Sequence, residues 1–157
     1  MVRDFETVNI FDLSDNFGHM IVHPGGYRCS CGRTGCLETQ CTESGLYMRL
    51  GYSNVDAFFS DLKAGDERCV ARWNDYLDDL CIALNNLYMA YDMDIVIGGS
   101  MAQRLEEYRE ELEKRIYRDY TLFPVTKELI FCHDGEYAAA IGSAAVVIEK
   151  FIAKKIS

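Results

Sequence analysis

Residues 18–38 read G-H-M-I-V-H-P-G-G-Y-R-C-S-C-G-R-T-G-C-L-E and hold three of the chain's seven cysteines within eight positions. Cysteine thiolates and a neutral imidazole are good ligands for a borderline-soft ion, and three cysteines with one histidine complete a tetrahedral set. Cys29 and Cys31 are close enough for one turn to direct both sulfurs at one point, and Cys36 returns through a loop containing Gly32 and Gly35. Spacing alone leaves three sources for the fourth ligand: His19, His23 or Cys41. Zinc suits this donor set, because no iron–sulfur spacing fits. Four protein ligands leave no open position for water, so such an ion is structural. Glu38, two residues past the last cysteine, reads by itself as an acid favoured at a helix N-terminus.

The rest of the composition sets the surroundings. A chain of 157 residues is long enough for one domain with a real core. A net charge of −9, with no cluster of Lys or Arg, argues against a surface that neutralises phosphates. No direct nucleic-acid contact is expected from this chain. No apolar run reaches the length of a membrane span, and M-V-R-D-F-E-T is not a signal peptide, so no membrane association is expected. Cys41, Cys69, Cys81 and Cys132 are scattered among apolar neighbours and read as buried small hydrophobes in a reducing, cytoplasmic setting.

The pattern of elements points to an α/β protein. V-N-I-F-D-L and H-M-I-V-H read as short strands, and helix begins beyond Glu38. Ser53 or Asn54 caps a helix carrying Val55, Phe58, Phe59 and Leu62. From Asp66 to Tyr91, apolar residues including Cys69, Trp73, Tyr76, Leu80, Leu84, Leu87 and Tyr91 recur at intervals of three and four, the stripe of a long amphipathic helix. Asp94 to Ile97 is a buried strand closed by the Gly98-Gly99 turn. A charged helix follows from Met101 to about Tyr120, then a strand from Glu128 to Cys132. A closing helix from Glu136 to Lys154 carries small residues suited to close packing. Strands separated by long helices favour a parallel sheet layered with helices.

The residues from Gly18 to Glu38 resemble the zinc signature of the ROK family of repressors, open reading frames and sugar kinases, which sets a Gly-His pair ten residues before C-x-C-G-x-x-G-C-x-E. I-V-I-G-G-S at 95–100 is similar to that family's strand-to-glycine turn beside the adenosine of ATP, and A-A-A-I-G-S-A-A at 138–145 to its final helix. The resemblance implies one lobe of an actin-like, ribonuclease-H-like ATPase fold, with residues 1–157 as a single domain equivalent to a C-terminal half. It implies structural Zn2+ on His19, Cys29, Cys31 and Cys36, with His19 rather than His23 as the nitrogen ligand. It also implies a monosaccharide ligand held by Asn16, His19 and Glu38, and a weak nucleotide contact at Gly98 and Gly99.

Departures from the family pattern decide the functional expectation. Nothing in the chain resembles the D-x-G-x-T phosphate-binding turn, and the kinases' catalytic aspartate belongs to the same absent half, so no catalytic residue is assigned. This chain alone is not expected to be a kinase. Asn16 stands where the family usually has Glu; it can hydrogen-bond a hydroxyl but lacks the charge that strengthens the bond. The leading expectation is a sugar-sensing domain of a ROK-type transcriptional regulator, or a shortened non-catalytic relative. Half of an ATP-dependent sugar kinase resembling glucokinase comes second, and a zinc-stabilised assembly domain third. Apolar surface is expected where a second copy or an N-terminal half packs.

Overall fold

A computed structural model describes residues 17–120 and 127–133, the strand residues 2–3 and 6–7, and positions 137, 140–142, 144–145, 147–148 and 151–152. The chain forms two compact units. One comprises Met1–Asp15, Val96–Glu107 and Leu129–Ser157; the other comprises Asn16–Ile95 and Tyr108–Glu128.

The second unit is built on helix. Three short helices, α1 (Leu37–Gln40), α2 (Glu43–Tyr47) and α3 (Val55–Lys63), lead into the 25-residue α4 (Glu67–Tyr91). The starts of α2, α3 and α4 have a chemical cause. The Thr42 hydroxyl accepts from the Gly45 amide, the Asn54 side chain from Ala57 N at 2.9 Å, and the Asp66 carboxylate from Arg68 N and Cys69 N. These satisfy amides that the first turn leaves without partners. Helix α4 ends where Asp92 turns left-handed at φ 48°.

The core of this unit is aromatic. Phe58 packs edge-on against Phe59, Phe59 against Trp73, and Trp73 stacks on Tyr76 at 5.1 Å. Helix α6 (Arg109–Tyr120) packs along α4, with Leu112 and Ile116 buried and Arg115 bonded to Asn74 and Asp78 of α4. The expected stripe of α4 is altered in composition. Arg72, Asp79 and Asn85 are buried within it, whereas Leu80 and Leu87 are half-buried and Tyr91 is exposed.

In the first unit, β1 (Val2–Arg3) pairs antiparallel with β2 (Glu6–Thr7), and α5 (Ala102–Glu106) packs on β4 (Leu129–Phe131). Strand β3 (Ile95–Ile97) pairs with β4. Ile95 N donates to Glu128 O at 3.0 Å and Cys132 N to Ile97 O at 2.8 Å, so the ladder advances the same way on both strands, as in a parallel pair.

Three expectations need correction. H-M-I-V-H is not a strand: residues 17–19 form a single 3-10 turn, and pairing is confined to an Ile21–Cys36 bridge. The amides of Val22 and His23 both turn to the carbonyl of Gly35, so no ladder can continue. The charged helix from Met101 is broken at Glu107–Tyr108, because Leu105 is buried in one unit and Leu112 in the other. In the closing segment the described positions 140–142, 144–145, 147–148 and 151–152 are helical, but Ala140, Gly142, Ala144 and Ala145 are exposed rather than closely packed. Ile141, Val147, Ile148 and Ile152 are exposed there as well. The first proposed strand, V-N-I-F-D-L, lies outside the described residues. Among the scattered cysteines Cys69 and Cys81 are buried, whereas Cys41 and Cys132 are half-buried.

Phe58 is fully buried at the centre of the aromatic cluster, so Phe58→Ala should lower unfolding stability by about 3 to 5 kcal/mol. Met89→Ala, at a side chain 78% exposed, should change it by no more than about 0.5 kcal/mol. Denaturant unfolding of the two variants checks the contrast.

Candidate functional site

The stretch from Met20 to Leu37 folds back on itself as a closed loop. Val22 N and His23 N donate to Gly35 O, Gly35 N to Tyr27 O, Cys29 N to Arg33 O, and Leu37 N to Met20 O. Gly35 has φ +77°, and a Cβ there would drive into the backbone carbonyl of His23. Both the left-handed backbone and the close approach therefore require glycine.

This closure gathers four donors. One ligand atom from each of His19, Cys29, Cys31 and Cys36 lies within 4.8 Å of the others. Cys29 Sγ is 3.5 Å from His19 Nδ1, and Cys31 Sγ is 3.7 Å from Cys36 Sγ. Cys29 and Cys36 are buried, His19 is half-buried and Cys31 is exposed. The four residues can hold a metal ion.

Their acidities differ for local reasons. Hydrogen bonds from the Arg33 backbone and side chain lower the Cys31 thiol to about 6, while burial pushes Cys36 up to about 11. A bound cation removes that difference, since a coordinating thiol is deprotonated outright.

The other two ligands that spacing allowed are engaged elsewhere. His23 Nδ1 lies 3.0 Å from Asp79 Oδ1 on α4, and the Cys41 thiol donates to the carbonyl of Tyr76 at 3.7 Å. Burial raises the Cys41 thiol far above its ordinary range. Glu38 sits in the first turn of α1, with Oε2 3.2 Å from His19 Nδ1 and 3.6 Å from Cys29 Sγ. Glu38 also lines a cleft of about 420 Å³, together with Ser30, Thr39, Thr42, Ser44, Met48 and Arg49. Asn16 lies outside the described residues. Gly98 and Gly99 belong to the other compact unit; Gly99 has φ +83°, and a Cβ on either would meet nothing within 4 Å.

Sequence reasoning missed the polar contacts between the loop and α4. Arg72 Nη2 donates to the Gln40 carbonyl at 2.6 Å, and Tyr76 Oη donates to the Cys41 carbonyl at 3.1 Å. The signal was present in α4, where Arg72 and Asp79 recur at a helical spacing of seven on a face otherwise rich in aromatic residues.

A model of the ROK family matches residues 12–150. The chain belongs to the ROK family. It is 26% identical to the xylose repressor of Bacillus spizizenii, over 89% of this chain and 38% of that protein. To the N-acetylmannosamine kinase of Escherichia coli it is 24% identical, over 87% of this chain and 47% of that enzyme. The crystal structure of the ROK hexokinase from Thermus thermophilus is similar with a TM-score of 0.75 and 26% identity, covering 85% of this chain and 48% of that one. The chain thus spans less than half the length of each of these relatives. Its fold is the actin-like α/β ATPase fold of ROK proteins. Among the described residues no helix is long and apolar enough to cross a membrane.

Burial holds the Asp79 carboxyl above its ordinary range, with the His23 imidazole acting in the opposite direction. The native state therefore binds this proton more tightly than the unfolded chain does. The resulting stability is fully present below the ordinary carboxylate pKa of about 4 and declines as pH rises through the higher native value. Asp79→Asn should remove this component of the decline. Denaturant unfolding of both proteins from about pH 4 to about pH 7 measures it.

Proposed function

We propose that this chain is the zinc-containing, sugar-sensing domain of a ROK-type transcriptional regulator, with residues 1–157 forming a single lobe equivalent to a C-terminal half. The observation that carries this reading is the position of His19, whose Nδ1 lies 3.5 Å from Cys29 Sγ and 3.2 Å from Glu38 Oε2. The imidazole thereby stands beside both the cysteine cluster and the Glu38 carboxylate, and Glu38 lines the cleft.

Zinc fits the donor set. Ligand distances of about 2.3 Å to sulfur and about 2.0 Å to nitrogen at tetrahedral angles require sulfur–sulfur edges of about 3.8 Å and sulfur–nitrogen edges of about 3.5 Å. The separations of 3.7 Å and 3.5 Å agree with both. Bound zinc would hold the thiols ionised and the imidazole in one orientation, with no open position for water. With Nδ1 turned to the cluster, Nε2 of His19 is left to donate a hydrogen bond to a sugar hydroxyl. The Glu38 carboxylate accepts one, and Asn16 supplies an uncharged third partner in place of the family's usual glutamate. Binding energy comes from the paired hydroxyls, and the metal loop keeps their partners from reorganising.

A second reading, half of an ATP-dependent sugar kinase, draws on the likeness to the ROK hexokinase at a TM-score of 0.75. In that reading the left-handed Gly99 lets a nucleotide approach the backbone between β3 and α5.

Protein purified without added metal should contain about one zinc per chain, and Cys36→Ser should lose it; a metal-free wild type would end the zinc reading. Calorimetric titration with D-xylose, N-acetyl-D-mannosamine and D-glucose should find a binding sugar, and Glu38→Ala should weaken it by about tenfold or more. Unchanged affinity in that variant, or no binding of any of the three, would favour a purely structural zinc domain. ATP consumption dependent on one of these sugars in the full-length protein would move the assignment to the kinase.

A further inference from the structure

Of the seven cysteines, Cys31 alone is exposed. It stands at the tip of the cysteine-bearing loop, in a run from Ser30 to Thr34 whose residues are all exposed. Gly32 N donates to Cys29 O and Cys29 N to Arg33 O, which folds this run into a tight turn. Cys36 lies on the return of the loop, fully buried, with its Sγ 3.7 Å from Cys31 Sγ. A disulfide requires about 2.05 Å, so the two sulfurs need to approach by about 1.7 Å. Gly32 can absorb that movement, since it has φ +88° and a Cβ there would meet nothing within 4 Å. Gly35, by contrast, is held by its bonds to Val22, His23 and Tyr27.

Cys29 is the competing partner, because it belongs to the same cluster. Its sulfur already meets His19 Nδ1 at 3.5 Å, Glu38 Oε2 at 3.6 Å and Ser30 Oγ at 3.8 Å. A bond from Cys31 to Cys29 would also have to close across Ser30 alone, against the dihedral of about 90° that a disulfide prefers. The other thiols are engaged away from the loop tip. Cys41 donates to Tyr76 O, Cys81 to Leu112 O, and Cys69 Sγ lies 3.2 Å from Tyr52 Oη. Cys132 belongs to the other compact unit.

We infer that Cys31 and Cys36 are an oxidation site, a pair that forms a reversible disulfide when the loop meets hydrogen peroxide. Cys31 Sγ attacks one peroxide oxygen and the O–O bond breaks. Cys31 becomes a sulfenic acid, and the other oxygen leaves as water. Cys36 Sγ then attacks Cys31 Sγ: the S–S bond forms, the S–O bond breaks, and a second water leaves with the Cys36 proton. Two thiols lose two electrons between them, and one peroxide is reduced to two waters. A thiol reductant reverses the bond by exchange. Metal ligation by cysteine needs the thiolate, so sulfurs joined to each other no longer serve an ion, and oxidation and metal binding exclude one another. That exclusion rests on the zinc reading; the disulfide does not.

The test uses the full chain as purified and after treatment with a chelator. Each sample is exposed to an equimolar amount of hydrogen peroxide, alkylated, cut with trypsin and read by mass spectrometry. Cleavage after Arg28 and Arg33 separates the two cysteines, so the bond joins two peptides, with Cys29 alkylated in one of them. The chelated sample should show this pair in most chains, and dithiothreitol should abolish it. Cys31→Ser, at an exposed position, should leave Cys36 alkylated. A bond from Cys36 to Cys29, Cys31 carried to sulfinic acid without a cross-link, or thiols left unaltered would each overturn the proposal. In the sample as purified, a zinc-sensitive dye should report release of the ion in proportion to the cross-link. Cross-linked chains that keep their zinc would overturn the exclusion. The chelated sample is read without any metal, so failure of the disulfide and failure of the zinc reading are distinguishable.

Discussion

The site depends on one close backbone approach. At Gly35 the chain runs so near the carbonyl of His23 that no Cβ fits, and the Gly35 carbonyl accepts from both Val22 and His23. That contact closes the loop and sets Cys36 opposite Ile21, two residues from His19. Seventeen positions separate His19 from Cys36 in the chain, a span whose closure costs conformational entropy. The local hydrogen bonds offset part of this cost, and an ion held by the four residues would offset more. A side chain at position 35 would open the loop and disperse the donors before any ligand was altered.

Helix α4 gives the loop its foundation. It contributes the aromatic faces of Trp73 and Tyr76 to the core, and the polar groups of Arg72, Tyr76 and Asp79 to the backbone and side chains of the segment from His23 to Cys41. Low dielectric strengthens such contacts when they are satisfied and makes each unpaired atom costly. The buried face of α4 therefore anchors the cysteine-bearing loop. Its relatives include proteins named a xylose repressor and an N-acetylmannosamine kinase, so the family's fold accompanies more than one role.

The cysteine cluster was legible in the sequence because its members are close neighbours in the chain. Cys29 and Cys31 share a turn, and glycines at 32 and 35 mark the return to Cys36. Choosing among His19, His23 and Cys41 required either family likeness or coordinates, since the choice depends on which side chains α4 occupies. Helix α4 and its start at Asp66 were also legible, because periodicity and capping are local properties. The break at Glu107–Tyr108 was not legible: both halves of that stretch are good helix, and the interruption follows from burying Leu105 and Leu112 in different cores.

The sequence by itself determined the family, the clustering of cysteines, the long helix and the parallel strand pair, all of which are written in short-range spacing and period. Tertiary structure decided that H-M-I-V-H is a turn, that His23 meets Asp79 rather than the cysteine cluster, and that Glu38 reaches His19. It also decided that Arg72 and Asp79 face inward on a helix whose pattern suggests an apolar stripe. These outcomes share one physical reason. Each depends on a partner many residues away, and a buried polar group takes its role from that partner rather than from its neighbours in the chain.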